Sequence, residues 1–123
     1  MASENSKLRI LVVEDEFLVA AEIVAILEDA GHTVVGPVGS VDTATALLRD
    51  GDMPDLAVID VNLRGRSAAP LARRMNDLGV PFCVCTGYRL SDLRASFGDD
   101  VTTLQKPVTP ENLLRTIHLI RNG

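Results

Sequence analysis

Leu56–Leu63 reads LAVIDVNL. Its first four residues, Leu56 to Ile59, are apolar without a break, as expected of a strand buried on both faces of a parallel sheet. Asp60 then stands where a fifth apolar residue would continue the pattern. A carboxylate at the end of a buried strand costs several kcal/mol unless something pairs with it. The stretch points to an α/β fold and raises the question of what Asp60 is for.

Outward from it, the chain alternates. LRILVV (8–13) is a first apolar strand. In EFLVAAEIVAILEDAG, residues Val19, Ile23, Ile26, Leu27 and Ala30 form a helical stripe that Gly31 ends. TVVGPV (33–38) is a second strand, and Ser40 caps a helix with Val41, Ala44, Thr45 and Leu48 on one face. After LAVID, the third strand, Ala68, Leu71, Met75 and Leu78 mark a helix that stops at Gly79. FCVCT (82–86) is the fourth strand, and Leu90, Leu93 and Phe97 predict a short helix before Gly98. VTTLQ (101–105) is the fifth strand. Thr109, Pro110 and Glu111 then open a last helix bearing Leu113, Ile117 and Ile120. GPVGS (36–40) lacks the spacing of a phosphate-binding loop and reads as a turn. The whole predicts a doubly wound, five-stranded parallel sheet with five helices.

At 123 residues, 46% hydrophobic and 24% charged, the expectation is one soluble domain over 1–123, with its core in 7–121. No apolar run approaches the ~18 residues of a membrane span. The start, MASENSKLR, lacks the apolar segment of a secretory signal, so a cytoplasmic protein is expected. A net charge of −5 without a basic cluster argues against binding nucleic acid. Cys83 and Cys85 would share one face of the fourth strand, where they read as small buried residues of a reduced protein.

In a doubly wound sheet the binding crevice lies beyond the carboxyl ends of the strands. Glu14 and Asp15 follow the first strand there, Asp60 and Asn62 the third, Thr86 the fourth and Lys106 the fifth. Clustered carboxylates repel, and a hard divalent cation such as Mg²⁺ relieves that repulsion. Lys106 adds a second positive centre and Thr86 a neutral donor. An aspartate can attack phosphorus, and cation and lysine can hold the charge on the phosphoryl oxygens.

LVVEDE, LAVIDVNLRG, CTGY and LQKP, in this order on this pattern, resemble the receiver domain of two-component response regulators from Lys7 to Arg121. The resemblance implies a flavodoxin-like fold of strand order 2-1-3-4-5. It makes Asp60 the phosphoacceptor, with Asp15 on Mg²⁺ directly, Glu14 mainly through water, and Asn62 through its backbone carbonyl. Thr86 and Lys106 would contact the phosphoryl group, and Lys106-Pro107 would be cis. The implied partner is a sensor histidine kinase or histidine phosphotransfer protein.

Receivers usually carry Tyr or Phe where this chain has Thr103. VCTGY instead resembles the Phe-Ala-Thr-Gly-Gly/Tyr motif of alphaproteobacterial single-domain receivers, and Tyr88 is the expected stand-in reporter. With no output domain in the chain, a stand-alone monomer or weak homodimer is expected. It would act by contact through the face from strand 4 to helix 5 (Tyr88, Leu90, Thr103, Arg115), or by draining phosphate from a kinase.

Plainer accounts exist for each residue. Glu14 and Asp15 could be helix-start acids, Asp60 a turn residue, Thr86 a strand-end hydroxyl and Lys106 a surface lysine. His32 and His118 read as structural or surface residues. Three rival identities remain open here. One is a receiver cut from a hybrid kinase, and another a pseudo-receiver that takes up no phosphate. The third is a phosphatase of the haloacid-dehalogenase type, which would want an aspartate in place of Asn62.

Overall fold

The computed structural model describes residues 7–49, 51, 53–87 and 90–122, and of residues 90–92 and 122 the backbone alone. Five strands form a parallel sheet: β1 (Arg9–Val13), β2 (Thr33–Val38), β3 (Leu56–Asp60), β4 (Phe82–Thr86) and β5 (Thr103–Gln105). Their order is β2-β1-β3-β4-β5, the expected 2-1-3-4-5 arrangement. The helices are α1 (Phe17–Asp29), α2 (Val41–Arg49), α3 (Ala69–Leu78), α4 (Leu90–Phe97) and α5 (Pro110–Asn122). A small antiparallel hairpin pairs Asn62–Leu63 with Arg66–Ser67 directly after β3.

Two hydrophobic layers flank the sheet, as alternation along the strands requires. Leu11, Val13, Ala57 and Ile59 face Ala44, Leu48, Leu71 and Met75 of α2 and α3. Ile10, Val12, Val58, Cys83 and Cys85 face Ile23, Leu27, Leu113 and Ile117 of α1 and α5. Both cysteines are buried, free thiols, and burial pushes Cys83 up to about 12 and Cys85 higher still. All five residues of β3 are buried, Asp60 included.

Some boundaries differ from the sequence reading. Ala30 is exposed at the end of α1, where the helix has turned its stripe away from the sheet. The fifth strand is confined to Thr103–Gln105 because only that part pairs with β4. Gly36 and Pro37 belong to β2 rather than to a turn. They form a bulge, since Leu11 pairs with Val35 but Val13 pairs with Val38. Proline lacks the N–H that a regular ladder needs, so a bulge on an edge strand accommodates it. The bulge carries the Val38 carbonyl to the Glu14 N–H, which donates to it at 2.9 Å.

Gly36 has φ +94°, and a Cβ there would meet Val38 N at 2.9 Å and Val12 O at 3.2 Å. Gly36→Ala is therefore expected to cost about 2 kcal/mol. Gly31→Ala combines a similar φ of +95° with open space, so strain alone should cost about 1 kcal/mol. Urea unfolding of the two variants measures the difference, and equal losses would refute the close-contact account.

Helix starts follow the expected caps. Ser40 Oγ accepts the Thr43 N–H at 3.1 Å, and Thr109 Oγ1 accepts the Asn112 N–H at 3.1 Å. Asn112 Oδ1 returns the bond by accepting the Thr109 N–H at 2.8 Å. Lys106-Pro107 is cis, as expected, and so is Gly36-Pro37.

Candidate functional site

The carboxyl ends of β1, β3, β4 and β5 meet at one edge because these strands are neighbours in register. Asp60 pairs with Cys85 and Thr86 with Gln105, while the Val61 N–H donates to the Cys85 carbonyl at 3.1 Å. The Lys106 N–H donates to the Thr86 carbonyl at 2.9 Å, which ties the start of the β5–α5 connection to β4.

At this edge Glu14 and Asp60 are 4% and 6% exposed, and Thr86 is 2% exposed. One ammonium faces three acids: Lys106 Nζ lies 3.3 Å from Glu14 Oε1, 3.4 Å from Asp60 Oδ1 and 3.6 Å from Glu16 Oε1. Glu14 Oε2 also accepts the Glu16 N–H at 3.0 Å. Asp15 is half-buried, and its Oδ2 accepts the Arg64 N–H at 2.9 Å. Asn62 is exposed on the hairpin, opposite Ser67.

The charges do not balance within the buried part of the cluster. Burial pushes Glu14 up to about 7, and nearby Asp60 adds to that while the Glu16 N–H and Lys106 oppose it. Burial raises Asp60 as well, against the pull of Lys106. Burial depresses Lys106, but Asp60 and Glu14 outweigh this and its pKa is raised. Lys106 thus explains what keeps Asp60 in place, yet it is shared too widely to neutralise the site.

Glu14, Asp15 and Asp60 each present an oxygen within 4.8 Å of the others. Glu14 Oε1 is buried without a hydrogen-bond partner among the described residues; Lys106 approaches it at ion-pair distance but not along a hydrogen bond. An orphaned anionic oxygen beside two further carboxylates is what a hard divalent cation would satisfy. The residues fit Mg²⁺.

A stability consequence follows. The Glu14 carboxyl has its ordinary value of 4.5 raised to about 7, so the folded form holds this proton more tightly than the unfolded chain. The contribution of Glu14 to the stability of the metal-free protein is full below 4.5 and is expected to fall by roughly 2–3 kcal/mol as pH rises to about 7. Saturating Mg²⁺ should flatten that slope. Urea midpoints across this range, with and without Mg²⁺, check it; a slope of opposite sign would sink the account.

Every site residue expected from sequence except Asn62 has its side chain placed in the cluster or buried at its edge. Glu16, not singled out from sequence, is a third partner of Lys106. The run Glu14-Asp15-Glu16 was its only signal. His32 is structural, its Nδ1 accepting the Leu8 N–H at 3.2 Å. His118 is exposed on α5. Thr103 is half-buried on β5 and Arg115 is exposed on α5. Tyr88 and the side chain of Leu90 lie outside the described residues.

The family model for the response regulator receiver domain matches residues 10–118. The phyllosphere-induced regulator PhyR of Methylorubrum extorquens is 30% identical over 88% of this chain and 41% of its own length. The chain thus spans less than half of that relative. The crystal structure of PhyR from Brucella abortus superposes with a TM-score of 0.80 at 25% identity, over 98% of this chain and 51% of that one. The BeF3-activated solution structure of SdrG from Pseudomonas melonis Fr1 gives 0.77 at 36% identity, over 89% of this chain and 92% of that one. No helix among the described residues is long and apolar enough to cross a membrane.

Proposed function

The chain belongs to the response regulator receiver family, and on that premise we propose that Asp60 accepts a phosphoryl group from a phosphohistidine. The donor would be a sensor histidine kinase or a histidine phosphotransfer protein. In the transfer an Asp60 oxygen forms a bond to phosphorus as the P–N bond breaks, and the imidazole leaves with the bonding pair. The observation that carries this reading is Lys106 Nζ at 3.4 Å from Asp60 Oδ1 inside a buried, over-acidic cluster. That ammonium stands where charge on the transferred group must be held. The SdrG relative captured with beryllofluoride, a phosphoryl mimic, supports the same chemistry.

Glu14, Asp15 and Asp60, with the Asn62 carbonyl, would hold Mg²⁺, which supplies positive charge to the phosphoryl oxygens when bound. Thr86, buried at the end of β4, would donate its hydroxyl to the phosphoryl group. Phe17 and Leu18 open α1 at 81% and 76% exposure, one residue beyond Glu16. They give the donor protein an apolar foothold beside the acceptor. No separate substrate is turned over. The phosphorylated protein acts in the cytoplasm by contact through the β4–α5 face, including Thr103 and Arg115, or by draining phosphoryl groups from its kinase.

The test is intact mass after incubation with acetyl phosphate, with Mg²⁺ or with EDTA. One Mg²⁺-dependent phosphoryl adduct, mapped to the peptide containing Asp60, is the expected result. A folded protein that takes up nothing from acetyl phosphate and nothing from beryllofluoride would overturn the reading.

A further inference from the structure

The hairpin after β3 turns through Arg64 and Gly65, at φ +54° and +81°. Positive φ at both central residues of a two-residue turn is the type I′ hairpin geometry, in which Asn-Gly is the favoured pair. Arginine is an uneconomical choice there, since a left-handed L-residue costs about 1–2 kcal/mol. It is the one described non-glycine residue with positive φ, and such residues collect where surrounding contacts over-determine them. Two contacts do so here. The Arg64 N–H donates to Asp15 Oδ2 at 2.9 Å, across 49 residues of chain. Its guanidinium lies over Gly39, where an added Cβ would sit 3.1 Å from Nη2.

We propose that Arg64 is a positioning residue for the cation site: its main-chain N–H, held in the left-handed turn, fixes the Asp15 carboxylate by Oδ2 beside Glu14 and Asp60. The inference rests on the reading that Asp15 helps hold the cation. An Asp15 free to rotate about χ1 and χ2 would lose that freedom on binding; one already hydrogen-bonded has less to lose. The bond also ties the loop after β1, which carries Glu14 and Asp15, to the hairpin that follows Asp60 at the end of β3.

The test is Mg²⁺ titration by calorimetry on the full chain. Arg64→Asn keeps the N–H and favours the turn, so its affinity should stay within about twofold of wild type. Arg64→Pro removes the donor and the conformation, and affinity should fall about tenfold, as for other partners that orient metal ligands. Equal binding by Arg64→Pro, or an equal loss in Arg64→Asn, overturns the proposal and leaves the receiver reading standing. A wild type that binds no Mg²⁺ overturns both. Should Arg64→Pro not fold, amide hydrogen exchange decides. The exposed Arg64 amide is expected to be protected in wild type and to lose protection in Asp15→Ala, and an unprotected wild-type amide refutes the inference.

Discussion

Asp60→Asn is expected to abolish phosphoryl uptake altogether while making the metal-free protein more stable. The loss follows from chemistry: an amide oxygen is no nucleophile toward phosphorus at neutral pH, and Glu14, the other buried acid beside Lys106, would serve the cation in the proposed site. The gain follows from electrostatics. Asp60 is raised by burial and in turn raises Glu14, so removing its charge relieves two groups at once. Lys106 keeps its partners Glu14 and Glu16. The gain should be about 1 kcal/mol at pH 8, the scale on which removing buried charge stabilises proteins. It should shrink as pH falls, because the acids are then protonated in wild type too. Intact mass reads the first effect and urea unfolding at pH 8 and pH 5 the second. Residual uptake at wild-type level, or a variant less stable at pH 8, would count against Asp60 as a strained nucleophile.

Opposed effects on activity and stability distinguish a functional acid from a structural one. A turn residue or satisfied strand end would lose stability on substitution, whereas a cluster with the proposed role would gain it, its cost being retained for what it binds. The orphaned Glu14 Oε1 marks the same conflict from the other side.

Much of this was legible in the sequence, for physical reasons. Leu56–Ile59 reads as a strand buried on both faces, because no polar residue interrupts it, and the acids and the lysine were conspicuous at predicted strand ends. What could not be read were interactions made by the backbone. The bulge at Gly36-Pro37 depends on pairing with β1, and its dipeptide alone reads as a turn. Arg64 gave a turn signal through Gly65, but nothing in its identity reveals that its N–H reaches Asp15. Glu16 was ambiguous in principle, since a helix-start acid and a lysine partner occupy the same position and differ only in where Lys106 arrives.

Lys106→Met tests the remaining half of the site, and its outcome should depend steeply on pH. The substitution keeps much of the apolar stem and removes the ammonium, leaving Glu14 and Asp60 buried without a cation. Breaking a buried pair in this way costs about 3–5 kcal/mol. The low end, about 3 kcal/mol, is expected at pH 8 because 24% of the Lys106 side chain is exposed. The contact with Glu16 adds little, since that carboxylate is 66% exposed and surface pairs are weak. The pKa values of both buried acids rise further once Lys106 is gone, so the variant recovers at pH 5, where protonation removes the unpaired charge. Adding Glu14→Gln should restore a large part of the loss at pH 8, because one of the two stranded charges then disappears. Phosphoryl uptake from acetyl phosphate with Mg²⁺ should fall about a hundredfold, the scale of losing one charge-stabilising donor. A stability loss equal at pH 5 and pH 8 would mean that Lys106 serves through packing rather than charge, and the electrostatic account of Asp60 would fail with it.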